Sequence, residues 1–316
     1  MSVQLSEEAL YQALWARTRL VLTDDDRAKL RAATVCINGL GGVGGIVVEE
    51  LVRAGIGNIK LSDPDVFEPT NMGRQLYATT KTLGRNKAEV ATERVLEINP
   101  YCHVETYTEG VQKNNIFQMF QGVDVVVDEL DVMSRRILQH RVAKKMRIPI
   151  VHGCRASFPG DRWTIQAWVW NYRDYPDTES REEEYKLWTC HLTWDELTED
   201  VLNSVDQQLA STMKRKIRAE IIKGNTASFG NVPVEYLLSQ LDGDIKEPYQ
   251  DNLLHKRAIF VQAPNTVGIL VSLEAVKVIL GWETTTYKLD LLKGRMENVN
   301  TDSTRNQLVA GRESTG

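Results

Sequence analysis

Residues Thr34 to Gly45 read Thr-Val-Cys-Ile-Asn-Gly-Leu-Gly-Gly-Val-Gly-Gly, and few folds accommodate such a run. Val35 to Ile37 is a short apolar strand. After the glycines, Val47, Leu51 and Ala54 recur at helical spacing until Gly55 closes the helix as its C-cap. The passage is therefore a strand, a tight turn and a helix. Gly39, Gly41 and Gly44 satisfy G-x-G-x-x-G, with Gly42 inside the same turn. Ile59 to Asp63 reads as a second strand with Asp63 at its C-terminal end, where open parallel sheets bind ligands. Bare glycines let backbone approach a phosphate or a ribose, and the carboxylate accepts hydrogen bonds from sugar hydroxyls. NAD, flavin and ATP enzymes all use this arrangement.

The alternation continues. Ala91, Val95 and Ile98 mark a helix with Asn86 as N-cap and Asn99-Pro100 as its stop, followed by a weaker strand from Val104 to Tyr107. Val123 to Asp128 has the β-branched density of a strand buried on both faces. A helix from Ser134 to Lys145 and a strand from Ile148 to His152 complete an α/β, Rossmann-like, doubly wound and mostly parallel sheet. Trp163 to Trp170 forms a further strand. We therefore read 1–170 as a nucleotide-binding domain with an N-terminal helical segment. An aromatic, charged and helical insertion spans 171–257, in which Val201, Val205, Leu209, Met213, Ile217 and Ile221 recur every fourth residue. Residues 258–292 return to the first domain, with a helix from Val267 to Leu280 and a strand from Tyr287 to Leu291. The tail, 293–316, is polar with little to bury.

Composition excludes several classes. With 316 residues and 42% apolar content the chain can bury one large core, and a net charge of -5 argues against a dominant nucleic-acid surface. No apolar run approaches the length of a membrane span and the N-terminus is polar and acidic, so the expected location is cytoplasmic, with no membrane partner. Cys36, Cys102, Cys154 and Cys190 form no C-x-x-C pair, and His103, His140 and His255 show no metal-ligand spacing, so no zinc is expected.

Charge separates the candidate ligands. A dinucleotide rests its pyrophosphate on a helix N-terminus, whereas attack at the α-phosphate of ATP needs cations spread around a triphosphate. Arg74 and Lys87 fit the second case. Lys87 occupies the first turn of its helix, where the macrodipole disfavours a cation by about 0.3–1 kcal/mol. A bound polyphosphate would reverse that penalty; the bland alternative is a solvated lysine. Asp131, just past a buried strand, is placed to hold Mg²⁺ against phosphate oxygens, with Asp128 as its rival.

At these residues a resemblance becomes specific. The run Asn38 to Gly45, Asp63-Pro64-Asp65, Asn71-Met72-Gly73-Arg74-Gln75, Gly84-Arg85-Asn86-Lys87-Ala88, Ile98-Asn99-Pro100 and Asp128-Glu129-Leu130-Asp131 resemble, in order and spacing, the successive motifs of the ThiF/MoeB/HesA family. Ala263-Pro264-Asn265 is similar to that family's late segment. The resemblance implies ATP-dependent adenylation of a C-terminal carboxylate. Gly39, Gly41, Gly42 and Gly44 would receive the nucleotide together with Asp63, Asp65, Asn71 and Gln75. Asp63 would bind the ribose, Asn71, Arg74 and Lys87 the phosphates, and Asp131 the Mg²⁺. It further implies a homodimer in which Arg17, or the nearby Arg19, completes the partner's site. The chain departs from the family at Asn38 and Val132, in lacking the zinc cysteines, and in the 171–257 insertion, which falls where the family covers its substrate tail or carries a catalytic cysteine. Cys190, beside His191 and near Lys186, is the candidate acyl acceptor, with a spare thiol as the alternative. Trp163, Trp168 and Trp170 would cradle a peptide or simply pack a sheet.

The leading expectation is adenylation of the C-terminus of a small ubiquitin-like or sulfur-carrier protein. Modification of a ribosomal peptide precursor is the alternative within the same chemistry. A nicotinamide or flavin oxidoreductase leaves Arg74, Lys87 and Asp131 unexplained, and a non-catalytic scaffold leaves the whole charged set unexplained.

Overall fold

Alternating short strands and helices assemble into one sheet, seen in a computed structural model that describes residues 5–155, 164–180, 183, 187–222, 262–285, 287–290 and 295–298. The strands are β1 (Thr34–Asn38), β2 (Asn58–Ser62), β3 (His103–Tyr107), β4 (Val125–Asp128), β5 (Ile150–Arg155), β6 (Thr164–Trp170), β7 (Tyr287–Asp290) and β8 (Arg295–Asn298). The helices are α1 (Glu7–Trp15), α2 (Asp24–Ala32), α3 (Gly44–Ala54), α4 (Lys87–Ile98), α5 (Ile116–Phe120), α6 (Met133–Met146), α7 (Glu199–Ile222) and α8 (Gln262–Leu280). The sheet order is β3-β2-β1-β4-β5-β6-β7-β8. The first five strands in that order are parallel, and β6, β7 and β8 add antiparallel. The Rossmann-like expectation holds, with an antiparallel extension.

The chain leaves β1 toward β2 and β3 on one side, then returns to β4 on the other. A crevice opens at that reversal, outside the C-terminal ends of the strands, and it is where sheets of this kind take their ligands. Strand periodicity divides the interior in two. Val35, Ile37, Val125 and Val127 face α3, α4 and α8 in one core, while Cys36 and Val126 face α5, α6 and α7 in the other. Cys36 is thus a core thiol, and burial pushes its pKa up to about 12.

Two elements differ from the sequence expectation. Arg295 to Asn298, inside the segment read as a polar tail, pairs with β7 as β8. Strand pairing there needs only backbone, so apolar content was the wrong test. The described part of the 171–257 stretch carries the helix α7, and Leu197, Leu202 and Val205 are buried with Trp170 and Tyr172 in the α6 core. Finally, Ala263–Leu280 is long and apolar enough to cross a membrane by length and composition, contrary to the expectation that no run approaches that length. Its apolarity has another cause. The helix passes so close to the sheet and to α3 that a Cβ on Gly153 would lie 2.3 Å from Val267, and one on Gly268 2.6 Å from Ile46.

Candidate active site

The glycines of the turn divide by purpose. Gly39 has φ +92°, and a Cβ there would lie 2.4 Å from the Glu129 carbonyl oxygen; one on Gly44 would lie 1.8 Å from the Gly39 oxygen. These two are demanded by the packing of β1 against β4 and α3. Gly41 is different, because its Cβ position would meet nothing nearer than Gln75 Nε2 at 3.6 Å. A side chain there would make ordinary van der Waals contact with Gln75 and no clash. A Cβ on Gly42 would lie 3.1 Å from Pro264 Cβ, so the first turn of α8 borders the crevice. Val43 gives α3 no side-chain cap. A helix N-terminus left without a capping side chain attracts phosphate.

Asp63, just past β2, is buried and aimed at that turn. Its Oδ2 accepts from Leu40 N at 2.7 Å and its Oδ1 from Asp65 N at 2.9 Å. Burial raises the carboxyl above its ordinary value, and the Lys87 cation and the Leu40 N–H oppose that rise. Each oxygen keeps a lone pair for a hydroxyl. Lys87 lies at the first position of α4, behind the N-cap Asn86, whose Oδ1 accepts from Ala88 N and Glu89 N. The lysine is buried and its Nζ donates to Asp65 Oδ2 at 2.8 Å. An anion already within the chain therefore offsets the macrodipole penalty. A polyphosphate is not required to explain Lys87.

A short turn, Pro69–Asn71, brings the next residues over the glycines. Asn71 is buried, its Oδ1 accepts from Glu68 N, and its carbonyl oxygen accepts from the Arg74 and Gln75 N–H groups. Arg74 Nη1 donates to Thr70 O at 2.8 Å. Gln75 is buried beside Gly41, and its Oε1 has no hydrogen-bond partner among the described residues. A buried, unpaired acceptor at the mouth of a glycine turn marks a place for a donor from a ligand.

On the other side of the crevice, Asp131 is exposed at the end of β4. Its rival Asp128 is not available, being fully buried with Arg136 Nε at 3.6 Å and His140 Nε2 at 3.5 Å. Burial would raise the Asp128 carboxyl, but Arg136, His140 and His152 prevail and hold it far below the carboxylate range. Glu129 shows the reverse. Burial, reinforced by Asp128, raises its carboxyl well above the ordinary value, although Oε1 accepts from Gly153 N at 2.8 Å. His152 Nδ1 meets the Asp128 carbonyl oxygen at 2.5 Å, and its ring stacks on Trp168 at 5.6 Å. Trp168 and the fully buried Trp170 thus pack the sheet against histidines. Trp163 lies outside the described residues.

This network was not anticipated as such. His140 donates to or accepts from Tyr172 OH at 2.9 Å, and Asn38, an oddity in the sequence, donates through Nδ2 to Gln139 Oε1 at 2.9 Å. Each partner is far away in the chain, so no local spacing announces it. Asn38 is simply the β1 half of a buried amide pair with α6.

Two predicted site residues lie apart from the rest. Trp15 donates to Ala54 O at 2.9 Å, beyond the far end of α3. That helix is about 16 Å long at 1.5 Å per residue, so the exposed Arg17 does not belong to its own chain's crevice. Arg19 is held by Gln12. Cys190 borders a cavity of about 400 Å³ with Phe117, Arg141, Lys145 and Trp194, against the C-terminal half of α6. The glycine turn is at the other end of that helix. Lys186 and His255 fall outside the described residues, as does the Cys154 side chain. Among the described residues no group of three or more His, Cys, Asp or Glu could hold a metal ion.

A glycine turn, a buried acid at the end of β2 and two cations, Arg74 and Lys87, thus border one crevice at the switch point of a doubly wound sheet. The chain belongs to the ThiF family, whose pattern matches residues 15–310. Among curated relatives, the tRNA threonylcarbamoyladenosine dehydratase of Haemophilus influenzae is 38% identical over 130 residues, 41% of this chain and 50% of the relative. The SAMP-activating enzyme E1 of Haloferax volcanii is 33% identical over 141 residues, 45% of this chain and 52% of the relative. This chain therefore covers about half the length of these relatives. Among solved structures, E. coli tRNA N6-threonylcarbamoyladenosine dehydratase in complex with AMP aligns with TM-score 0.55 and 21% identity, over 89% of this chain and 98% of the other. E. coli MccB with ATP aligns with TM-score 0.55 and 18% identity, over 92% and 68%. Those likenesses are of fold.

Proposed function

We propose that this protein adenylates a C-terminal carboxylate of a small ubiquitin-like or sulfur-carrier protein and releases pyrophosphate. The observation that carries the reading is the crevice itself: Gly41 free of steric demand, Gln75 Oε1 buried with no hydrogen-bond partner among the described residues, and Asp63, Arg74 and Lys87 along the same crevice. These features fit an adenine nucleotide. Lys87 and Asp65 form a pair from which phosphate oxygens can recruit the ammonium. Asp131 suits a Mg²⁺ ion, which takes one or two carboxylates and completes its shell with phosphate oxygens and water.

ATP with Mg²⁺ supplies an electrophilic α-phosphorus and a neutralised pyrophosphate leaving group. The chain's own contribution is positioning and charge. Asp63 holds the ribose against the glycine turn, the α3 N-terminus and the Arg74 guanidinium face the phosphates, and Arg17 of the partner subunit completes the cationic set in a homodimer. No general base is required, because a C-terminal carboxylate is already ionised at neutral pH.

The names of relatives that activate SAMP support a protein carrier as substrate. The similarity to tRNA threonylcarbamoyladenosine dehydratase favours a second reading, in which the activated group is carried on RNA. Pyrophosphate exchange into ATP separates them: exchange stimulated by a carrier ending in a free tail supports the first, and stimulation by tRNA alone overturns it. Arg74→Ala should lower carrier-stimulated exchange by about a hundredfold or more, the loss expected for one charge-stabilising donor. Wild-type exchange in that variant would remove Arg74 from the phosphate site.

A further inference from the structure

The turn that carries Asp131 is fixed by a residue far downstream. Helix α6 begins at Met133, directly after the Asp131-Val132 step, and Val132 has no side chain able to cap it. The missing acceptor comes from α7, where Asp206 Oδ1 accepts from Ser134 N at 3.0 Å. Both residues are buried, Ser134 at 1% and Asp206 at 4% exposure. A carboxylate at a helix N-terminus meets the positive end of the macrodipole. Burying one elsewhere than at an ordinary cap position is costly unless its partner needs it.

The turn is tied on its other side as well. Arg136 Nε donates to Leu130 O at 2.6 Å, and Leu130 N donates to Asp128 Oδ1 at 3.3 Å. Asp131 therefore projects from a three-residue span between two anchored points, Leu130 and Ser134. Next to the second anchor, Arg135 donates through both terminal nitrogens to Glu199 of α7, at 3.0 and 2.7 Å. Leu202 and Val205 of α7 share a core with Leu130. Two side-chain restraints on the C-terminal side of Asp131 thus come from α7.

We propose that Asp206 is a positioning residue for Asp131: by capping α6 from α7 it sets the aim of the Asp131 carboxylate and hence the divalent-ion affinity of the site. This rests on the reading that Asp131 holds the ion. It makes α7, within the 171–257 segment, part of the metal site's support.

The test uses the full chain with a non-hydrolysable ATP analogue, and Mn²⁺ binding is followed by water-proton relaxation. Asp206→Ala should weaken Mn²⁺ binding by about tenfold, the lower end of what losing an outer-shell partner costs. Affinity for the analogue without metal should stay within about twofold, since uniform loss would signal general damage rather than a metal-specific effect. Asp206→Asn, which keeps shape and an acceptor oxygen, should recover part of the loss and guards against a folding defect in the alanine variant. Hydrogen exchange at the Ser134 amide should quicken in the alanine variant. Unchanged Mn²⁺ affinity in both variants overturns the proposal. If Asp131→Ala also leaves Mn²⁺ affinity unchanged, the assignment of the ligand itself has failed; if Asp131→Ala weakens it and the Asp206 variants do not, only the role of Asp206 has.

Discussion

Two ends of the crevice hold charge in opposite ways. At the β1–β2 end, Asp63, Asp65 and Lys87 form an open set: Asp63 keeps lone pairs toward the turn, and the Lys87 ammonium is tied to one exposed carboxylate, Asp65. At the β4–β5 end, Asp128, Arg136, His140 and His152 form a closed set, sealed beneath Trp168 and Trp170. The open set has capacity left for a ligand. The closed set has spent its charges on one another, and its task is to hold β4, β5 and α6 in place so that Asp131, alone of that end, remains exposed.

The sharpest way to break this contrast is to remove one charged side chain from each end. Asp128→Ala leaves the neighbouring cations buried without their counter-charge and should cost about 3–5 kcal/mol, the penalty for breaking a buried pair from one side. Lys87→Ala, at the open end, should cost much less in stability but lose most of the affinity for ATP, because the ammonium is part of the ligand's surroundings. Urea denaturation midpoints and calorimetric ATP binding read the two quantities. Equal stability losses, or ATP binding retained in Lys87→Ala, would erase the distinction.

The same contrast explains what the sequence discloses. The open end is assembled from short-range chemistry: a glycine turn, an acid at a strand end, and an N-cap Asn86 followed by Lys87 are each recognisable where they stand. The doubly wound order follows from the β-branched run at β4 and the repeated alternation before it. The closed end depends on pairs such as Asn38 with Gln139, His140 with Tyr172 and Ser134 with Asp206, which only the folded chain brings together. Seen alone, Asn38 is a departure and His140 an unremarkable histidine. β8 escaped notice for a related reason, since its pairing is a backbone property that hydrophobic patterning does not report.

A second pair of variants sharpens the division within the glycine turn. Gly44→Ala places a methyl group 1.8 Å from the Gly39 oxygen, so backbone must move. A loss of about 1–3 kcal/mol is expected, as for overpacking in a tight core. Gly41→Ala meets only Gln75 at 3.6 Å and should leave the denaturation midpoint nearly unchanged, yet its methyl group enters the space assigned to the nucleotide. ATP affinity should therefore fall in the variant whose stability does not. Were Gly41→Ala as destabilising as Gly44→Ala, Gly41 would be a packing glycine like Gly44 and not one kept bare for a ligand.

The smallest effect concerns Glu129, which stands between the two ends, its carbonyl against Gly39 and its carboxyl on Gly153 N. Its folded-state pKa is raised well above 4.5 by burial and by the Asp128 charge, so the folded chain retains a proton that the unfolded chain has released. With more protons bound in the folded state, stability falls as pH rises from about 4.5 toward the folded value. Glu129→Gln keeps the acceptor for Gly153 N and removes the ionisation. It should be more stable than the parent at pH 8, with the advantage vanishing below the ordinary carboxylate range. Denaturation midpoints measured from pH 4 to pH 8 follow the difference directly. An advantage independent of pH would mean that Glu129 is ionised in the folded chain and belongs, with Asp63, to the open set.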